Sequence, residues 1–343
     1  MDYYSTLVFG SIFALIFLYT ALQKLSIKKL PPGPSPWPII GNIHLLGAKP
    51  HVSLTNLAKI YGPIMSLKLG QIATIVISSS SMAKQVLKNQ DQAFSSRFIP
   101  NAIQHNYYKF SVACLPICPQ WRTLRKILNT NILSPNNLDA NQHLRSQKVK
   151  ELITYCEKCS QQGQPLDIGH VTFKTNLNLL SNTLFSQDLA DLFSDSKVEL
   201  KEVIWDILTE VGKPNLVDFF PILEKIGLQG IRRRTSVHIV NVWVIGRDFT
   251  FWDDPLVFKP ERFWSSDLDM RGQDFELIPF GVGRRICPGF PLALRMVPVI
   301  LGSLLTSFNW KLEADIEPKD LDMEKFGITL AKAHPLRAIP FPL

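Results

Sequence analysis

The sequence predicts a mainly α fold with a small β portion, preceded by one membrane-crossing helix. Three observations predict it. Residues 3–23 form a mostly apolar span without a formal side-chain charge, and at 1.5 Å per residue such a helix is roughly 30 Å long, enough to cross a bilayer core. Helical stretches with short breaks alternate from Leu166 to about Ile226, and Leu292 to Phe308 reads as a helix apolar on almost every side. Strand-like residues are concentrated in one short stretch, Ile64 to Ile77.

The amino-terminal span reads as an anchor. A cleaved signal peptide is the alternative, but only Asp2 precedes the span, with no basic region and no small-x-small cleavage site. Lys24, Lys28 and Lys29 follow it directly, which places the downstream chain in the cytoplasm. Residues 24–42 then form a basic, proline-rich hinge running through Leu30-Pro31-Pro32-Gly33-Pro34-Ser35-Pro36-Trp37-Pro38. Prolines at this density hold an extended, stiff segment and exclude helix, as a spacer between a membrane and a domain requires.

The remaining 300 or so residues suffice for one large domain or two ordinary ones. A hydrophobic content of 46% excludes general disorder. The formal charge of +8 suits an anionic membrane surface or an acidic partner. Nucleic acid is not expected, because no basic helix is interleaved with stacking aromatics and Arg232-Arg233-Arg234 reads as a solvated patch. Five cysteines in so long a chain do not form a disulfide framework.

Beyond the hinge, Ser53 to Tyr61 predicts a short helix ended by Gly62-Pro63. Ile64 to Leu69 and Ile72 to Ile77 predict a hairpin turning at Gly70-Gln71. Ser80 to Asn89 predicts a helix capped by Ser80 or Ser81. Asp91 to Pro119 is irregular, and Gln120 opens a helix carrying Trp121 and Arg125, which share a face. An arginine fork can hold a carboxylate by two hydrogen bonds, although an ordinary amphipathic helix has the same pattern. Cys156-Glu157-Lys158-Cys159 has redox or zinc spacing, but no second ligand pair or βαβ pattern accompanies it. These thiols, with Cys114 and Cys118, read as bystanders. No His-Glu-x-x-His and no nucleophile elbow occurs. Val203, Ile204, Ile207 and Leu208 fall at helical spacing, as core or substrate-facing residues.

The chemistry lies in Phe280-Gly281-Val282-Gly283-Arg284-Arg285-Ile286-Cys287-Pro288-Gly289. Gly281 and Gly283 can take positive φ and bring backbone close to a flat object. Pro288 suits a first helical position, and the helix beyond it is apolar on almost every side, which predicts burial. The helix dipole and the two arginines favour a thiolate at Cys287, and a thiolate can be the axial ligand of a haem iron.

The pattern Phe280-x-x-Gly283-x-Arg285-x-Cys287-x-Gly289 resembles the haem-binding loop of cytochromes P450. The hinge ending in Ile39-Ile40-Gly41-Asn42 is similar to that of microsomal members, and Pro260-Glu261-Arg262-Phe263 to a later family segment. The Phe275-Glu276-Leu277-Ile278-Pro279 lead-in and the Phe326-Gly327-Ile328-Thr329-Leu330 ending look most like plant terpenoid hydroxylases, such as the geraniol hydroxylase group.

The resemblance implies haem b ligated by Cys287, with Phe280, Gly281, Gly283 and Gly289 around the sulfur, and propionates held by Trp121, Arg125 and Arg285. It also implies a single-pass protein of the endoplasmic reticulum membrane, fed electrons by an NADPH-dependent flavoprotein reductase. Its reaction would insert one atom of dioxygen into a small apolar, terpenoid-like substrate. No residue is assigned as proton donor.

The chain departs from the family in three ways. Family members run to roughly 500 residues, beyond this chain's length. Neither an Ala/Gly-Gly-x-Asp/Glu-Thr-Thr stretch nor a Glu-x-x-Arg pair occurs, which leaves Arg262 without its expected carboxylate. Residues 43–234 therefore read as the amino-terminal part of the haem-thiolate domain and 241–343 as its carboxy-terminal part. A deletion join falls at 235–240, where the central helices are missing. Such a chain is expected to fold poorly or bind haem weakly, and the alternative to an enzyme is a catalytically inactive truncated product or a haem-binding membrane protein without turnover.

Overall fold

The structure, a computed structural model, describes residues 11, 30–97, 99, 110–193, 219, 237–313, 324–325 and 331–343. The expected anchor apart from Ser11, the apolar positions Val203 to Leu208 and the ending Phe326–Leu330 lie outside them. Among the described residues the strands are, in chain order, β1 (Ile64–Leu69), β2 (Ile72–Ile77), β3 (Leu166–Asp167), β4 (Val237–Val240), β5 (Phe308–Leu312), β6 (Glu324–Lys325), β7 (Ala331–Lys332) and β8 (Arg337–Pro342). Helices dominate the rest, as expected. The chain divides into two compact units, residues 1–116 with 215–286, and residues 117–214 with 287–343.

The first unit is built on the predicted hairpin. β1 and β2 pair antiparallel from Leu69↔Ile72 to Ile64↔Ile77, and β4 adds to β2 in parallel. Residues 237–240 of the expected join are thus an ordered strand. The helix before β1 starts at Pro50, not Ser53, because proline is favoured where its missing N–H is not needed. Its Leu54 meets Met65, Leu67, Leu69 and Val76 in one core cluster. Asn241 ties the strand end to this helix, with Nδ2 donating to the His51 carbonyl and to Thr55 Oγ1, both at 3.2 Å. The hinge is docked along β1: Ser66 N–H donates to the Pro32 carbonyl at 2.9 Å and Ser66 Oγ to that of Pro31 at 2.6 Å. Buried Asn42 accepts from Lys68 N–H at 2.8 Å.

The next helix is capped by Ser79, not Ser80 or Ser81. Ser79 has extended backbone, and its Oγ accepts Met82 N–H at 3.3 Å. The helix runs Ser80–Lys84, widens into π geometry over Gln85–Asn89, and is followed by a short turn, Asp91–Phe94.

In the second unit the long helix Gln142–Gln162 presents Val149, Leu152, Cys156 and Cys159 on one stripe. That stripe packs against Leu179, Met296, Ile300, Leu304 and Phe308. Each such side chain contributes about 1.5–3 kcal/mol on burial. The Cys-x-x-Cys pair is thus core, and burial pushes the Cys156 thiol up to about 12, the opposite of what a ligand or redox thiolate needs. β8 is central to a sheet ordered β3-β8-β5, and β6 pairs β7.

The apolar helix after the cysteine loop spans Phe290–Ser307, with Pro291 rather than Pro288 in its first turn. Its expected all-round burial is not met. Met296, Ile300 and Leu304 face the core, whereas Leu294, Val297, Leu301 and Leu305 are exposed, Val297 and Leu305 by 60% and 59%. These four follow each other at three- and four-residue steps and form a second apolar stripe, which no described element covers. Among the described residues this is the one helix long and apolar enough to cross a membrane. Its inner stripe nevertheless packs as a core helix does.

Candidate haem-thiolate site

The boundary between the units falls between Ile286 and Cys287, inside the candidate loop. Upstream of it, Phe275, Ile278 and Val282 are buried with Ile77, Ala83, Val86 and Ile245, which fixes the approach to the loop. Phe280 is half-buried. Gly281 and Gly283 take φ +69° and +70°, as their type permits. Around Gly281 a Cβ would meet nothing within 4 Å, so the loop has an open face there. At Gly283 a Cβ would overlap the Leu87 carbonyl oxygen, so only glycine fits. A 3₁₀ turn, Gly283–Arg285, closes with Ile286 N–H donating to the Gly283 carbonyl at 3.1 Å.

Both arginines reach residues of 91–97 and 110–115 in the first unit. Arg284 Nε pairs with Asp91 Oδ2 at 2.8 Å. Arg285 donates to three carbonyls, Ser95 at 2.8 Å, Val112 at 3.2 Å and Leu115. In the folded chain these two side chains tie the loop to Asp91, Ser95, Val112 and Leu115. Arg97 joins the same segment through Ala113.

In the second unit, Cys287 is exposed, and its carbonyl accepts Phe290 N–H at 3.3 Å, opening the Phe290–Ser307 helix. At Gly289 a Cβ would stand 3.7 Å from Cys287 Sγ, an ordinary contact, so the backbone itself does not require glycine there. Trp121 and Arg125 lie on the helix Pro119–Ile127, Trp121 buried and Arg125 half-buried. Cys118 is more than a bystander: its Sγ accepts Trp121 N–H at 3.4 Å and caps this helix. A cysteine is not a usual cap residue, so the sequence carried no signal for it.

Arg262, expected to lack its carboxylate, is held by carbonyls in the first unit. Its nitrogens donate to Lys259, Asp253, Asp254 and Val257 at 2.7 to 3.1 Å. The guanidinium fork ties down the 253–259 turn in place of an ion pair.

Taken unit by unit, the chemistry of these residues is compatible with a haem. An exposed soft thiol suits iron, and Gly281 leaves open the space that a side chain would fill. Trp121 and Arg125 supply donors on one helix face.

The family model described as Cytochrome P450 matches residues 31–238 and 229–336. Geraniol 8-hydroxylase from Catharanthus roseus is 46% identical over 495 aligned residues, covering 100% of this chain and 100% of that protein. Geraniol 8-hydroxylase from Swertia mussotii is 44% identical over 496, again covering 100% of each. Lauric acid 10-hydroxylase from Petunia hybrida is 37% identical over 576, covering 100% of each. The aligned lengths exceed the 343 residues of this chain, so the alignments carry gaps on its side.

Proposed function

Since the chain belongs to the cytochrome P450 family, we propose that it is a haem-thiolate monooxygenase that hydroxylates a small apolar, terpenoid-like substrate. The observation that carries the reading is the exposed Cys287 at the end of the Phe280–Gly289 loop, beside the identity to two geraniol 8-hydroxylases. Cys287 holds the iron of haem b, and Phe280, Gly281, Gly283 and Gly289 shape the ground around the sulfur. Trp121, Arg125 and Arg285 hold the propionates, a carboxylate being a stronger acceptor than the carbonyls that Arg285 meets. When bound, the haem supplies dioxygen activation, with the thiolate as electron donor to the iron. NADPH-derived electrons arrive through a flavoprotein reductase, whose acidic surface suits a chain of formal charge +8. The protein sits on the endoplasmic reticulum membrane by residues 3–23, with its main domain in the cytoplasm.

We further propose that a central segment is missing near residues 235–240. The two family matches meet at residues 229–238, and the alignments with relatives run longer than the chain. The uncovered stripe Leu294–Leu305 agrees with the loss of a covering element. Haem is then held less firmly than in a chain that has that element.

The test is expression in a haem-replete host with added reductase, NADPH and geraniol. A thiolate-type reduced carbon-monoxide band of less than full strength, with NADPH-dependent hydroxylated product, is expected. No such band overturns the haem reading. A band without product leaves a haem-binding protein without turnover, and a full-strength band overturns the weakened-haem reading.

A further inference from the structure

Three consecutive residues of the cysteine loop meet three successive turns of one segment. Gly283 lies against the Leu87 carbonyl, Arg284 pairs with Asp91, and Arg285 donates to the Ser95 carbonyl. Leu87 lies in the π-helical segment Gln85–Asn89, Asp91 opens the short helix Asp91–Phe94, and Ser95 caps its end. The loop is therefore registered on residues 87–95 by these three contacts. Of the three contacts, the ion pair at 2.8 Å joins two side chains, and it can be altered without touching backbone. Arg284 precedes Cys287 by three residues, at most about 10 Å of chain.

We propose that Asp91 is a positioning residue for the cysteine loop: by holding Arg284 it fixes the stretch Gly283–Ile286 that leads into Cys287. The inference rests on the reading of Cys287 as iron ligand, but the anchoring can be measured without haem. The Arg284 side chain is 46% exposed and that of Asp91 23%, and partly exposed pairs give modest effects of about 1.4- to 5-fold.

The test compares Asp91→Asn, the charge swap Asp91→Arg with Arg284→Asp, and Lys88→Ala. Lys88 serves as control because its Nζ bonds Gln273 Oε1 at 3.1 Å, tying the same helical run to a different segment. In the haem-free chain, amide hydrogen exchange over residues 283–287 is expected to quicken about two- to five-fold in Asp91→Asn. The swap restores it and Lys88→Ala leaves it unchanged. In the haem-loaded chain Asp91→Asn moves part of the reduced carbon-monoxide band away from its thiolate position, and the swap returns it. Unchanged exchange in Asp91→Asn, no recovery in the swap, or equal loosening in Lys88→Ala overturns the proposal. Should Asp91→Asn not fold, Arg284→Gln is read in its place against the same control. A wild-type chain without a thiolate band would sink the haem reading, while the exchange arm still decides the positioning.

Discussion

Replacing Gly283 by alanine tests the loop geometry at its tightest point. Gly283 has φ +70°, which costs an L-residue about 1–2 kcal/mol. Its new Cβ would also overlap the Leu87 carbonyl oxygen, a backbone atom within the π-helical Gln85–Asn89 segment that cannot swing aside as a side chain does. Forcing one methyl into filled space costs about 1–3 kcal/mol, so the total is about 2–5 kcal/mol. Gly281 is the internal control. Its φ of +69° carries the same conformational cost, but a Cβ there meets nothing within 4 Å, so Gly281→Ala should lose only about 1–2 kcal/mol. Urea unfolding followed by tryptophan fluorescence measures both, and the difference isolates the overlap with Leu87. Equal losses for the two variants would refute the registration of the loop on the 87–95 segment.

Three further outcomes are expected from the second unit. Burial raises the Cys156 thiol to about 12 from an ordinary 9.0, so the folded state resists deprotonation while the unfolded state does not. Its contribution is full below pH 9 and declines toward pH 12, by up to about 1.4 kcal/mol per pH unit; urea midpoints across this range should fall more steeply for the wild type than for Cys156→Ala. On the Phe290–Ser307 helix, Ile300→Ala removes a core side chain and should cost about 2–5 kcal/mol. Leu301→Lys, on the exposed stripe, should change stability by less than about 0.5 kcal/mol and raise the solubility limit; a large loss there would mean that the outer stripe is covered in solution.

The hairpin was legible to the residue, because β1, turn and β2 are short-range and their boundaries are marked by Gly70-Gln71 and Gly62-Pro63. In the Phe280–Gly289 loop the conformations of Gly281 and Gly283 were legible, since both take the positive φ that glycine permits, whereas Gly289 makes no such backbone demand. Helix starts were legible only approximately. Ser79 and its neighbours Ser80 and Ser81 offer equal caps until the incoming backbone direction selects one, and Cys118 caps a helix with an atom that composition does not mark.

What the sequence determined by itself is therefore the chemistry: a thiol in a glycine loop, an arginine fork on a helix, a hydrophobic content sufficient for a core. Tertiary structure decided the assignments that depend on partners distant in the chain. Arg284 goes to Asp91, Arg285 to Ser95, Val112 and Leu115, and Arg262 to a ring of carbonyls, because a guanidinium binds whichever acceptors folding brings within reach. Likewise the Phe290–Ser307 helix is apolar all round by sequence, but only packing selects which stripe is buried. Met296, Ile300 and Leu304 find the Gln142–Gln162 helix and its neighbours, while Leu294, Val297, Leu301 and Leu305 face outward. Hydrophobicity is a property of a residue, whereas burial requires a second surface, and the second surface is supplied by other parts of the chain.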